Sequence, residues 1–287
     1  MNNLKYFLQF VVIIFLFSIY KILGLKISTI ISGNILTFFG PLFRSNKLVI
    51  SNLSKAFPKL SLNEKKIISK KMWFNYGRIF AEYMYIENFR KEKKYSQNIT
   101  IENYDILEKI KNDKKPVIFV SGHFNNFELM AMQIEKAGIN LAAIYRPLNN
   151  KFLNPIMERI RKKYICKNQI KKGIAGTKEL LKNFKDGNSI ALMIDQRVSE
   201  GIMCDLFGQK ARTTTIPAQF VKKFNANVVP IYIERISSNN FRLKVYEILE
   251  FKDQESLYSI TLKLNKILEE MILKNPTQWI WSHNRWK

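Results

Sequence analysis

After residue 98, short apolar runs alternate along the chain with segments whose apolar residues recur at helical spacing. Short apolar runs rich in β-branched residues predict buried strands at 116–121, 141–145, 189–194, 228–234 and 241–248. Apolar residues at helical spacing predict one or two helices within 64–89, and further helices at 104–112, after 125, and at 154–164, 177–186, 217–224 and 254–273. This order is typical of an α/β fold, so we predict a mostly parallel mixed sheet flanked by helices, with an antiparallel edge.

The first 43 residues differ from the rest because they are almost continuously apolar. Residues 6–20 are interrupted only by Gln9 and Ser18, and extending the run through Lys21 gives about the 20 residues that a membrane span needs. We therefore predict an N-terminal transmembrane anchor at 1–25, followed by one larger domain at 26–287. A signal peptide and a buried core helix remain alternatives. More basic residues follow the apolar run than precede it, which favours a single-pass protein with its body in the cytoplasm.

The composition and net charge of the chain limit the classes of binding partner but do not identify one. The chain has 287 residues, 47% of them hydrophobic, and a formal net charge of +24. Such a charge suits an anionic partner: nucleic acid, a phospholipid surface, a phosphorylated substrate or an acidic carrier protein, although part of it can be ordinary solvated surface. No nucleic-acid-binding motif is evident, so we expect no nucleic acid partner. With two cysteines far apart and two histidines, we also expect no disulfide framework, metal site or cofactor.

A candidate site follows the predicted strand at 116–121, where His123 comes directly after a Ser-Gly step and Glu128 follows five residues later. Imidazole titrates near neutral pH and needs a partner that fixes its tautomer, so the two residues suit a base oriented by a carboxylate. Alternatively, Asn125 and Glu128 form a capping box at the helix start. Two other predicted strands end at Arg146 and Asp195, and carboxyl ends of parallel strands converge on one crevice. A surface ion pair and a turn cap are the simpler explanations for those two residues.

Taken in order, several motifs along the chain resemble one known family. They are Gly122-His123-x4-Glu128, Tyr145-Arg146-Pro147, the arginine-rich 157–161, Ile194-Asp195-Gln196, 211–215 and the tryptophan-rich 278–287. In this order and spacing the chain resembles the late acyltransferases of lipid A biosynthesis, the lauroyl and myristoyl acyltransferases of the lysophospholipid acyltransferase-like superfamily. The resemblance covers nearly the whole chain.

The resemblance implies a glycerolipid acyltransferase-like fold and an acyltransferase domain on the cytoplasmic side of a cell inner membrane. The enzyme would move a fatty acyl chain from acyl carrier protein to a hydroxyl of a lipid A precursor of the Kdo2-lipid IVA type, without a cofactor. His123 would be the general base and Glu128 the acid that orients it. The residues that would bind substrate are Arg146, Arg159, Arg161 and Asp195.

Three alternatives stay open at this stage. The acceptor can be another membrane glycolipid or a lysophospholipid, and the chain can instead be a non-catalytic basic protein tethered to a membrane. Backbone N–H groups after Asn125 or an arginine can stabilise the oxyanion. His283, among the tryptophans of the last ten residues, is interpreted as structural or as a contact at the membrane interface.

Overall fold

The computed structural model describes residues 2–287 and begins with a long apolar helix, α1 (Asn2–Phe43). This helix is kinked at Gly24, whose φ of 77° is open to glycine but costly for other residues. It is long and apolar enough to span a membrane, and only 17% of its most apolar window is buried. That exposure does not fit the alternative of a buried core helix. The predicted boundary at residue 25 falls beside the kink, and the anchor itself stays a prediction.

The part of α1 beyond the kink packs against α3 (Leu62–Glu82), and small residues line the contact. A Cβ on Gly77 would lie 2.1 Å from the carbonyl oxygen of Ser32, and the Ser32 hydroxyl donates to the carbonyl of Gly77 at 2.6 Å. Gly33 and Gly40 receive the rings of Phe74 and Trp73 in the same way. A side chain has no room at these positions because the backbone of α1 lies against Gly77 and an aromatic ring of α3 lies against Gly33 and Gly40.

The remaining helices flank the sheet or connect its strands. The chain also has two 3₁₀-helical turns, Tyr83–Tyr85 and Pro276–Gln278. A π-helical turn, Arg161–Ile165, follows α8. The helices are α2 (Asn46–Ala56), α4 (Ile86–Lys91), α5 (Lys93–Ser96), α6 (Tyr104–Asp113), α7 (Glu128–Lys136), α8 (Asn154–Ile160), α9 (Ile174–Lys185), α10 (Ile216–Phe224) and α11 (Leu257–Lys274).

Seven strands form one mixed sheet in the order β1-β9-β8-β2-β5-β3-β4, and β6 and β7 form a separate antiparallel hairpin. All neighbours in the sheet are parallel except β8 and β9. The predicted mostly parallel sheet is thereby confirmed. The strands are β1 (Ile99–Glu102), β2 (Ile118–Ser121), β3 (Leu141–Tyr145), β4 (Asn168–Lys171), β5 (Ser189–Met193), β6 (Ile202–Leu206), β7 (Gln209–Thr213), β8 (Val228–Ser237) and β9 (Asn240–Val245).

The predicted antiparallel edge is wrong in its position. The antiparallel strand β9 is covered by β1, a four-residue strand that pairs with it in parallel and forms the actual edge. Neither β1 nor the opposite edge strand β4 has the apolar run by which the five inner strands of the sheet are recognised, because edge strands bury fewer side chains. The sequence pattern therefore misses both edges while predicting the buried centre.

The central strands position the candidate site. Ser121 of β2 pairs with Met193 of β5, so the residues that follow these two strands emerge side by side at one edge of the sheet. His123 and Asp195 each lie two residues beyond this paired end. The predicted convergence of the two strand ends is therefore present, although 72 residues separate the two side chains along the chain.

Candidate active site

His123 lies in a short loop between β2 and α7. The residue before it, Gly122, is closely surrounded by other atoms. A Cβ on Gly122 would lie 2.9 Å from the Phe124 ring and 3.2 Å from Oδ2 of Asp195, so glycine allows the loop to approach the carboxylate. The His123 side chain is 18% exposed, and the ring of Phe127 packs edge-on against it at 4.8 Å between centroids. The imidazole is thus partly exposed while the Phe127 ring packs against it.

Asp195 holds the imidazole through two bonds to the same residue. Its Oδ1 lies 2.8 Å from Nδ1 of His123, and its Oδ2 accepts from the His123 backbone N–H at 2.7 Å. The side-chain amide of Gln196 lies 3.3 Å from Nε2 of His123 and donates to it when that nitrogen is unprotonated. This arrangement favours the neutral tautomer with its proton on Nδ1, which leaves the Nε2 lone pair available to take a proton.

The charges of the two groups stabilise each other. Burial lowers the pKa of His123, but the charge of Asp195 and the hydrogen bond to it outweigh burial and raise that pKa above 6.5. Burial likewise raises the pKa of Asp195, while the charge of His123, the bonds to it and the Trp279 indole bring that pKa below 3.8. Asp195 therefore stays ionised at neutral pH, and His123 titrates above its ordinary value.

Among the described residues Glu128 forms no hydrogen bond with His123, so the direct contact that the predicted orienting role needs is absent. Its Oε1 accepts from the Tyr83 hydroxyl at 2.6 Å and from Nε and Nη2 of Arg161 at 2.9 and 2.7 Å. Glu128 is the first residue of α7, and these contacts with Tyr83 and Arg161 determine where its carboxylate lies. Asp195 occupies the place beside His123 that the sequence motif suggested for Glu128.

The capping-box alternative is also wrong. Asn125 adopts a left-handed conformation with φ of 41°, and α7 starts after Phe127 without a side-chain cap. The side-chain oxygen of Asn125 instead accepts from the Asn126 N–H at 2.7 Å and from Arg235 at 3.0 Å. The loop carrying His123 is therefore fixed by tertiary contacts.

A buried ion pair supplies most of those contacts, and sequence analysis did not identify it. Arg235 binds both carboxylate oxygens of Glu82, at 2.5 and 3.1 Å, and Glu82 also accepts from the Asn126 amide at 3.0 Å. The Glu82 side chain is fully buried and that of Arg235 is 5% exposed. Gln278 binds the Asn125 amide at 2.6 Å and the backbone N–H of Arg235 at 2.8 Å. Together these hydrogen bonds fix the conformation of the loop that carries His123.

The C-terminal segment packs against the residues that hold His123. Phe124 forms a β-bridge with Trp279, and the Trp279 indole donates to Oδ2 of Asp195 at 2.9 Å. Nε2 of His283 accepts from the backbone N–H of Arg197 at 3.1 Å, and burial lowers the pKa of that imidazole. His283 thus has a structural contact, which fits the first of its two predicted roles.

The four residues expected to bind substrate differ in the contacts that they make. The Asp195 side chain is fully buried and its hydrogen bonds go to His123 and Trp279, so in the structure it holds the imidazole, and its assignment as a substrate-binding residue stays a prediction. Arg161 is held by Glu128 and stacks over the Tyr145 ring at 5.5 Å. Arg146 and Arg159 are exposed, and within residues 2–287 neither forms an ion pair. They remain predictions.

The chemistry available here is proton transfer at an imidazole. Over the part of the chain that the structure describes, no three His, Cys, Asp or Glu side chains gather as metal ligands would. A histidine whose lone pair lies on Nε2, oriented at Nδ1 by a buried carboxylate, is the arrangement that takes a proton from a hydroxyl and returns it to a leaving group. No group of the chain that forms a covalent intermediate is needed for that reaction when the substrate is already activated.

Comparison with known proteins gives one consistent result. A profile of the family "Bacterial lipid A biosynthesis acyltransferase" matches residues 1–287. The chain is 23% identical over 254 residues to the lipid A biosynthesis lauroyltransferase of Escherichia coli, covering 85% of this chain and 79% of that protein. It is 23% identical over 245 residues to a lipid A biosynthesis acyltransferase of Haemophilus influenzae, covering 82% and 75%.

Among solved structures, the chain is similar to the 1-acyl-sn-glycerophosphate acyltransferase PlsC from Thermotoga maritima. The two are 14% identical with a TM-score of 0.41, over 87% of this chain and 98% of that one.

Proposed function

Since this chain belongs to the bacterial lipid A biosynthesis acyltransferase family, and so performs acyl transfer in that biosynthesis, we propose the donor, acceptor and catalytic groups of its reaction. The donor is a fatty acyl thioester on acyl carrier protein. The acceptor is a hydroxyl of a lipid A precursor of the Kdo2-lipid IVA type. The observation that carries the proposal is the partly exposed His123 imidazole, whose Nδ1 is held by Asp195 so that the lone pair of the neutral ring lies on Nε2.

His123 acts first as a base and then as an acid. Its Nε2 takes the proton of the acceptor hydroxyl as the oxygen attacks the thioester carbonyl, and the resulting imidazolium is stabilised by the Asp195 carboxylate 2.8 Å away. When the tetrahedral intermediate collapses, the C–S bond breaks and the proton passes to the departing thiolate. The new C–O ester bond and the free thiol balance the reaction. General acid–base catalysis of this kind contributes about 10²- to 10⁴-fold.

Glu128 has an indirect role in this proposal. Its hydrogen bonds tie the start of α7 to Arg161 and Tyr83, so it fixes the Arg161–Ile165 turn beside the loop that carries His123. The Glu128 charge also raises the pKa of His123, after the larger effects of burial and Asp195. Glu128 is therefore proposed as a residue that positions the site and adjusts its electrostatics, in place of the direct partner of the imidazole.

The acidic carrier protein fits the charge near the site. Exposed basic residues lie after β3, on α8, on the Arg161–Ile165 turn and at the end of β4, and the charge of Lys172 is close enough to oppose the net rise in the pKa of His123. The residues of this basic rim are Arg146, Arg159, Lys162, Lys163, Lys171 and Lys172. We propose that the rim binds the acidic carrier and the phosphates of the acceptor, because opposite charges attract and steer encounter.

The location proposed for the enzyme is the cytoplasmic face of an inner membrane, with α1 as the membrane element. Its first part is apolar over residues 6–20, and beyond the kink residues 27–43 contain no charged side chain. The large apolar side chains exposed beyond the kink are Ile27, Ile30, Ile31, Phe38, Phe39 and Leu42. An exposed apolar face that continues from a span-length helix suits contact with lipid.

Acyl transfer with purified components tests the proposal. Full-length enzyme in detergent is mixed with acyl carrier protein bearing a radiolabelled acyl chain and with the purified lipid A precursor, and His123→Ala is the matched inactive variant. Label is expected in the precursor with the wild-type enzyme, and at least about 100-fold more slowly with the variant. A lysophospholipid acceptor in parallel tests the alternative substrate. Labelling of the lysophospholipid alone, or equal rates for the two enzymes, would reject the proposal.

A further inference from the structure

The Asp195 carboxylate is bound by three donors, and one of them comes from the far end of the chain. Its side chain is fully buried, and Oδ2 accepts both the His123 backbone N–H at 2.7 Å and the Trp279 indole N–H at 2.9 Å. Oδ1 is left for Nδ1 of His123. Trp279 thus takes up the remaining acceptor capacity on the side of the carboxylate that faces away from the imidazole.

We infer that Trp279 is a positioning residue for the proposed reaction, which acts on His123 through Asp195. The inference rests on the proposed function, because it assigns a third member to the catalytic pair. A buried carboxylate bonded on both oxygens has one orientation, so the lone pair of Oδ1 is directed at Nδ1 before substrate arrives. Such preorganisation of a base is part of what makes acid–base catalysis efficient.

Trp279 is itself held by the loop that it helps to organise. Its backbone bridges Phe124, and the neighbouring Gln278 carbonyl accepts from the Asn125 N–H at 2.9 Å. The Trp279 side chain is 1% exposed and packs edge-on against the Trp281 ring at 4.6 Å between centroids. The last residues of the chain therefore connect the loop after β2 with the residue after β5, which sets the spacing between His123 and Asp195.

Trp281 provides a matched control in the same aromatic cluster. It is fully buried, and its indole N–H donates to the Pro276 carbonyl at 2.7 Å, away from Asp195. Replacing either tryptophan by phenylalanine removes a buried indole, one hydrogen bond and similar volume. Only Trp279→Phe removes a donor from Asp195, so a difference between the variants isolates that bond.

The first test compares the pH profiles of kcat/KM for wild type, Trp279→Phe and Trp281→Phe in the acyl transfer assay. Trp279→Phe is expected to lower kcat by about 10- to 150-fold with little change in KM, the range of one hydrogen bond to a charged group. The acid midpoint of its profile should move to higher pH, because a carboxylate with fewer donors attracts the imidazolium more strongly. Trp281→Phe should keep the wild-type midpoint. Equal midpoints for the two variants would overturn the inference.

A second measurement decides the question if Trp279→Phe does not fold or if the wild-type enzyme shows no acyl transfer. The four tryptophans of the wild-type chain are labelled with ¹⁵N, and their indole resonances are assigned with the other three Trp→Phe variants. The Trp279 indole should shift with the midpoint of the His123 titration while that of Trp281 stays constant. A Trp279 resonance that does not titrate would overturn the inference, whereas absence of transfer with a titrating resonance would reject only the proposed function.

Discussion

Replacing Asp195 by asparagine should leave His123 in the wrong tautomer, and the structure shows why the new side chain has little choice. An asparagine whose oxygen takes the Oδ2 position keeps the donors from the His123 backbone and Trp279, and it directs its amide N–H at Nδ1. The flipped orientation places that amide against two N–H donors. Because each lost bond to a buried acceptor costs about 1 kcal/mol or more, the first orientation is preferred.

In that orientation Nδ1 must accept a hydrogen bond, so the imidazole proton moves to Nε2 and the base is lost. We expect kcat to fall by about 10³- to 10⁴-fold, which is the upper part of the range for general base catalysis and for the same substitution in a histidine-based triad. The folded state should change little, since the replacement has nearly the same shape. The assay is acyl transfer at saturating substrate, with thermal unfolding of each variant as the check on folding.

Glu128→Gln is the comparison that distinguishes the two carboxylates. Glutamine keeps an oxygen for Tyr83 and Arg161 at the position of Oε1, so it loses a charge but retains those contacts. Its kcat should fall by about tenfold, which is less than for the loss of the base. If Glu128→Gln were the more damaging variant, and Asp195→Asn kept more than about a tenth of the wild-type rate, the assignment of Asp195 as the partner of the imidazole would be refuted.

Three further outcomes follow from the structure. Arg235→Met should lower the free energy of unfolding by about 3–5 kcal/mol in chemical denaturation because it leaves the Glu82 charge buried, and Glu82→Leu added to it should restore part of that loss. The pKa of His123 is lowered by burial but raised more by Asp195, so kcat/KM should fall below an acid midpoint that lies above pH 6.5, and Asp195→Ala should move the midpoint down. Protein lacking residues 1–25 should still sediment with anionic vesicles in about 0.5 M salt, where charge attraction is screened. It should do so because the exposed apolar face beyond the kink is still present. Complete release from the vesicles would show that the membrane anchor lies within the deleted residues.

Most strands predicted from sequence bury side chains on both faces. Strands β2, β5 and β8 have continuous apolar runs, and the ends of β2 and β5 carry His123 and Asp195. A local pattern was sufficient to place each residue at a strand end and to expect convergence. It was insufficient for β1 and β4, because a four-residue edge strand has no long apolar run to recognise.

The partner of His123 was misassigned because spacing along one loop does not determine contacts between loops. Glu128 is close to His123 in sequence, but α7 begins at Glu128 and directs its carboxylate to Tyr83 and Arg161. Asp195 is 72 residues away, and only the β2–β5 register brings it into contact. Glu82 and Arg235 were missed for the same reason, since a single charged residue in a helix or strand does not reveal its distant partner.

The two carboxylates near His123 differ in what they bind, and this difference assigns them separate tasks. Among residues 2–287 the only ion pair of Asp195 is with His123, so its charge is available to the imidazolium that forms when His123 takes a proton. Glu128 is neutralised permanently by Arg161. A carboxylate already paired in the resting state gains little from a new positive charge nearby, whereas an unpaired buried carboxylate gains the full interaction. The larger stabilisation of the transition state therefore comes from Asp195, while Glu128 holds the arginine turn that borders the basic rim.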